Sequence, residues 1–65
     1  MNEDFYKEQR TRLANEFWFL KSKRLYLAAK ARVRKIAELD FEFKGIPKEE
    51  TLKKFKYDSI KSKVE

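Results

Sequence analysis

Four cations, Arg12, Lys23, Lys30 and Arg34, fall on one sector when residues 3–39 are wound as a helix, with Phe19 and Tyr26 beside them. At 1.5 Å rise per residue the row is about 33 Å long. Lysine and arginine at this density displace condensed counterions from a phosphate backbone, and neighbouring aromatic rings stack on unpaired bases. The chemistry suggested is nucleic-acid binding, DNA or RNA, with strong salt dependence. The same cations also suit a solvated helix face or an acidic protein surface. Zinc-finger, ribbon-helix-helix and RNP patterns are absent.

A second cluster is "ELDFEF", where Glu38, Asp40 and Glu42 stand two apart. On a strand they share one face and could meet a divalent ion, but no fourth ligand accompanies them. A solvated acidic linker is the simpler reading, and no metal is expected. Catalysis has still less to work with. The chain contains no His and no Cys, and its hydroxyls outside tyrosine are Thr11, Ser22, Thr51, Ser59 and Ser62, none in a supporting motif. The usual general base, the reactive thiol and the common zinc ligands are therefore missing. A single Gly rules out a glycine-rich phosphate loop. The expectation is a protein without enzymatic activity, cofactor or small-molecule substrate.

The elements that position these residues follow from composition. Sixty-five residues allow one small domain. Charged residues make up 43% of them, which alone would suggest disorder, but ten aromatic rings supply large areas to bury. No uncharged run exceeds the five residues Leu25 to Ala29, so no spanning helix is expected. The start is acidic before it is apolar, the wrong order for a secretory signal, and the expected location is cytoplasmic. Residues 2–39 lack Gly and Pro and are rich in strong helix formers. Asn2 suits an N-cap, with Glu3 and Asp4 in the first turn. An all-α chain is predicted: a long helix over about 3–39, an extended linker at about 40–46, a short helix at about 47–57 opened by Pro47, and a frayed tail at about 58–65.

Charge alternates along the chain. It is −2 over residues 1–9, +8 over 10–37, −3 over 38–50 and +3 over 51–65, for a net +6. Apolar residues of the first helix form two groups about 140° apart at 100° per residue. Tyr6, Leu13, Phe17, Leu20, Leu27, Ala28 and Ala31 make one; Ala14, Trp18, Leu25, Ala29, Val33 and Ile36 make the other. A straight helix of this length cannot be covered by one short C-terminal helix. Either it pairs with a second copy, or it bends near Ser22, at the polar run "KSKR", into a helical hairpin. With no Gly or Pro to mark a break, the straight helix is favoured. Leu13, Phe17, Leu20, Leu27, Trp18, Leu25 and Ile36 are then candidates for self-association as a homodimer. Function is read as a small basic binding protein, regulatory or accessory, acting on nucleic acid through a cationic helix face. The alternative is a protein-binding modulator, an inhibitor or adaptor from a phage or other mobile element, docked on a larger host protein.

Overall fold

The computed structural model describes residues 3–60. It is all-α: α1 spans Glu3–Ser22, α2 Tyr26–Lys44 and α3 Lys48–Lys54, and a single 3₁₀ turn covers Tyr57–Ser59. Helices α1 and α2 form an antiparallel hairpin, and α3 packs back on α2. The expected straight helix is thus overturned. Its length at 1.5 Å per residue is about 55 Å, whereas the chain measures 39 × 20 × 13 Å along its principal axes. Asn2, the expected cap of α1, and residues 61–65 of the expected tail lie outside the described residues.

The break falls where "KSKR" ends, and its mechanism explains why it carries no glycine. The Leu25 N–H donates to the Leu20 carbonyl at 2.9 Å and the Arg24 N–H to the Lys21 carbonyl at 3.0 Å. This pair of bonds is the Schellman termination, which needs a left-handed residue after the last turn. Arg24 fills that position at φ 63°. A side chain there costs about 1–2 kcal/mol, so the hairpin forms against a local penalty. Tertiary packing must supply the difference.

That packing shows why the apolar residues fell into two groups. Each helix buries one phase. Tyr6 and Phe17 of the first group are buried in α1, and Ala29, Val33 and Ile36 of the second group are buried in α2. The large left-out members are exposed, Trp18 of the second group on α1 and Leu27 of the first group on α2, while Ala14, Ala28 and Ala31 are half-buried. Phe17, Ala29, Val33 and Ile60 form the centre of the core, with Leu20, Tyr26, Leu52, Phe55 and Tyr57 around them. Phe17 and Phe55 meet edge to face at 5.2 Å between ring centroids. Fully burying a Phe contributes roughly 1.5–3 kcal/mol, enough to offset the strain at Arg24.

Residues 40–44, expected in a linker, continue α2. Gly45 ends the helix at φ 69°, and its N–H donates to the Phe41 carbonyl at 3.0 Å. Pro47 precedes α3 and its carbonyl accepts the Glu50 N–H. Glu49 and Glu50 sit in the first turn of α3, Lys53 and Lys54 in the last, each sign complementing the helix dipole. At the start of the expected tail, Ile60 is buried, so the chain is held to that point.

Asp40 lies in the interior at 1% exposure. Its Oδ1 accepts the Tyr6 hydroxyl at 2.7 Å and Arg10 Nε at 3.0 Å. Its Oδ2 accepts the Thr51 hydroxyl at 2.8 Å and Arg10 Nη2 at 3.3 Å. One carboxylate therefore ties α1, α2 and α3 together. Burial pushes its pKa up, but the hydrogen bonds from Arg10, Tyr6 and Thr51 and the Arg10 charge outweigh burial and hold the carboxyl below its ordinary range. The Tyr6 hydroxyl is pushed up, by burial first and then by its bond to Asp40.

Two outcomes follow from these features. Arg24→Gly removes the left-handed penalty and should raise stability by about 0.5–1 kcal/mol after glycine's own entropy cost; urea denaturation showing no gain would contradict the turn. Asp40→Asn sets an amide N–H₂ against the Arg10 donors and should cost about 2–4 kcal/mol. Because the folded carboxyl titrates below the unfolded one, its contribution is full above about pH 3.9 and is lost as pH falls through the folded value. Acid unfolding of the wild type should show that loss, and the Asn variant should lack it.

Candidate functional site

The hairpin folds the alternating charge of the sequence into two ends. The acidic start of α1 lies against the acidic end of α2, where Lys44 donates to Glu3 at 2.6 Å. That hydrogen bond, then the Lys44 charge, holds the Glu3 carboxyl below its ordinary range. Segment 10–37 is doubled back on itself, so its positive charge gathers toward the opposite end, the α1–α2 turn. Helix α3 returns the same way. Thr51 meets Asp40, Phe55 meets Phe17, and Lys30 lies 4.5 Å from the centre of the Tyr57 ring. Lys53, Lys54 and Lys56 therefore lie toward that end as well.

At the turn itself, large apolar side chains stand in solvent. Trp18 is 57% exposed, Phe19 59%, Leu25 52% and Leu27 67%. Cations are interleaved with them. Lys21 lies 5.7 Å from the Phe17 ring centre and 5.4 Å from that of Trp18, and Lys23 lies 5.7 Å from Phe19. Lys23 and Arg24 are exposed. Residues 17–37 contain no carboxylate. The nearest in sequence on α1, Glu16, is engaged by Arg32 at 2.8 Å and by Arg12 at 3.6 Å. Among the described residues Lys21, Lys23 and Arg24 have no carboxylate partner. Helix α2 begins at the same place with Leu25 in the cap position, no side-chain cap and no acid in its first turn. Its leading N–H groups add partial positive charge. The surface can take an anion and offers rings beside it.

The cationic row expected on one rod is distributed over several elements. Arg12 is exposed midway along α1 and paired with Glu16. Lys23 is in the turn, Lys30 stacks on Tyr57, and Arg34 is exposed on the outward side of α2. Tyr26 is half-buried against the core. Phe19 and Lys23 alone of the expected binding set stand together at the tip. Of the residues expected in self-association, Phe17 and Ile36 are buried within the chain's own core, Leu13 and Leu20 are half-buried, and Trp18, Leu25 and Leu27 are exposed at the tip. Lys21 and Arg24 were not among the expected binding residues. The acid-free run from 17 to 37 was the available signal for them.

Glu38, Asp40 and Glu42 lie on a helix, where alternate residues do not share a face, and Asp40 is fully engaged. Among the described residues no group of three or more acids could hold a metal ion. No helix among them is long and apolar enough to cross a membrane. No family model matches the chain, and no curated protein or solved structure matches it either.

Trp18 is the only tryptophan, so its fluorescence reports directly on the tip. Emission typical of a hydrated indole, with strong acrylamide quenching, is expected. Blue-shifted, protected emission from dilute protein would contradict the exposure of this site.

Proposed function

We propose that this is a small, non-catalytic nucleic-acid-binding protein, a regulatory or accessory factor that works in the cytoplasm and grips DNA or RNA with the hairpin tip. One observation carries the reading: four large apolar side chains more than half exposed, among them Trp18 and Phe19, beside Lys21, Lys23 and Arg24, in a stretch free of carboxylates. Cations alone would serve any polyanion. Rings interleaved with cations favour single strands or unpaired bases, because stacking contributes about 1–3 kcal/mol per base irrespective of sequence. Phosphates on Lys21, Lys23 and Arg24 add a term that salt weakens.

A second reading, a protein-binding modulator docked on the acidic surface of a larger protein, draws on Leu25 and Leu27. These flexible aliphatic side chains are exposed yet stack poorly on bases, and they suit an apolar protein groove. The two readings separate by salt and by residue.

Fluorescence anisotropy with labelled single-stranded DNA and RNA tests the first. Binding is expected at low salt. Neutralising three phosphates on a single strand gives a slope of log K against log[salt] of about −2. The Lys23→Ala/Arg24→Ala variant should lower affinity at least tenfold and flatten the slope to about −0.7. Trp18→Ala should lower affinity by about 1–3 kcal/mol with the slope unchanged. Absence of binding at low salt would sink the nucleic-acid reading and leave the modulator.

A further inference from the structure

The side of α2 turned away from α1 and α3 carries Leu27, Ala31, Arg34, Glu38 and Phe41, spaced four, three, four and three apart. This is the a/d spacing of a helix seam, yet four of its five residues are exposed. Leu27 is 67% exposed and Phe41 52%. Arg34 and Glu38 are also exposed, and among the described residues neither has an ion-pair partner. We propose that this face is self-complementary and takes a second copy of the chain, α2 against α2, antiparallel.

The pattern selects that occupant and that direction. In an antiparallel pair, a positions face d positions. Centring the two-fold axis at the level of Ile36 sets Arg34 of each copy against Glu38 of the other. The same register sets Ala31 against Phe41, a small residue receiving a ring, and does so twice. It also brings Leu27 over the end of the opposite α2 at Gly45, where even an added Cβ would meet nothing within 4 Å. A parallel pair would oppose Arg34 with Arg34 and Glu38 with Glu38, which repels. Lys48 lies 5.5 Å from the Phe41 ring centre, covering one face and leaving the other. One helix pair of this length buries less than the roughly 1,200 Å² of a standard interface, so the dimer is reversible and concentration-dependent. This face shares Leu27 with the tip, but the inference does not rest on the tip binding nucleic acid.

Sedimentation equilibrium from about 1 μM to about 1 mM, the range that spans weak association, tests it. The wild type is expected to pass from monomer to dimer. Arg34→Glu or Glu38→Arg alone sets like charges together twice and should weaken the dimer at least tenfold. The double variant restores opposite charges and should return the constant to within about threefold of the wild type. Phe41→Ala should also weaken it, and circular dichroism checks that each variant keeps its helices. If a charge variant loses its helices, Phe41→Ala decides by itself. Wild type that stays monomeric, a dimer indifferent to these changes, or a double variant that fails to recover overturns the proposal.

Discussion

The structure depends on one buried carboxylate. Asp40 is removed from water, and desolvation by itself would disfavour its charge. Four hydrogen bonds from three side chains reverse that balance. Because the donors come from α1 and α3 while Asp40 sits on α2, the carboxylate is satisfied only when all three helices are docked. Apolar burial supplies the larger share of the driving force, but it is tolerant of small slides and rotations. The Asp40 cluster is not, since a shift by one residue would strand a charge. It gives a chain of 65 residues, near the lower size limit for a single core, a specific register.

The register has an electrostatic result. Unfolded, the chain alternates acidic and basic segments. Docked as a hairpin, it places the acidic start of α1 beside the acidic end of α2, with Lys21, Lys23 and Arg24 at the turn. The strain at Arg24 lies at the tip, where the backbone reverses within three residues and Lys23 and Arg24 are held exposed. A straight helix would have spread the same cations along a rod with Glu16 among them. In the hairpin Lys21 and Lys23 lie against Trp18 and Phe19 with Arg24 next to them, and that juxtaposition underlies the functional reading.

The all-α class, the acidic first turn of α1 and the opening of α3 after Pro47 were legible because each rests on local chemistry, whereas the helix end was placed near residue 39 and lies at Lys44. The hairpin stood only as the alternative to a favoured straight helix, although the two apolar phases carried its signal. Two apolar phases on one supposed helix mean either two partners or two helices. Trp18 breaking phase with Phe17, and Leu27 with Ala29, mark the change at residues 23–25. The missing glycine argued against a break, and the physics that overrode it was tertiary: burial of Phe17 and Val33 outweighs one left-handed Arg. Asp40 was hidden for a related reason. Read as part of an extended linker, it looked solvated. Continued as helix, it falls four residues after Ile36 and seven after Val33, on the buried stripe. The binding set was read on the wrong geometry, so Arg12, Lys30 and Arg34 were grouped with Phe19 and Lys23 although the fold separates them.

The central claim is that a polyanion meets this protein at the turn between α1 and α2. Backbone amide shifts of labelled protein, followed by NMR while a short unlabelled single strand is added, address it residue by residue. The account predicts saturable shifts concentrated in residues 18–27, with little change over 3–9 and 40–50. Shifts centred on the outward side of α1 around Arg12, or none at low salt, would contradict it.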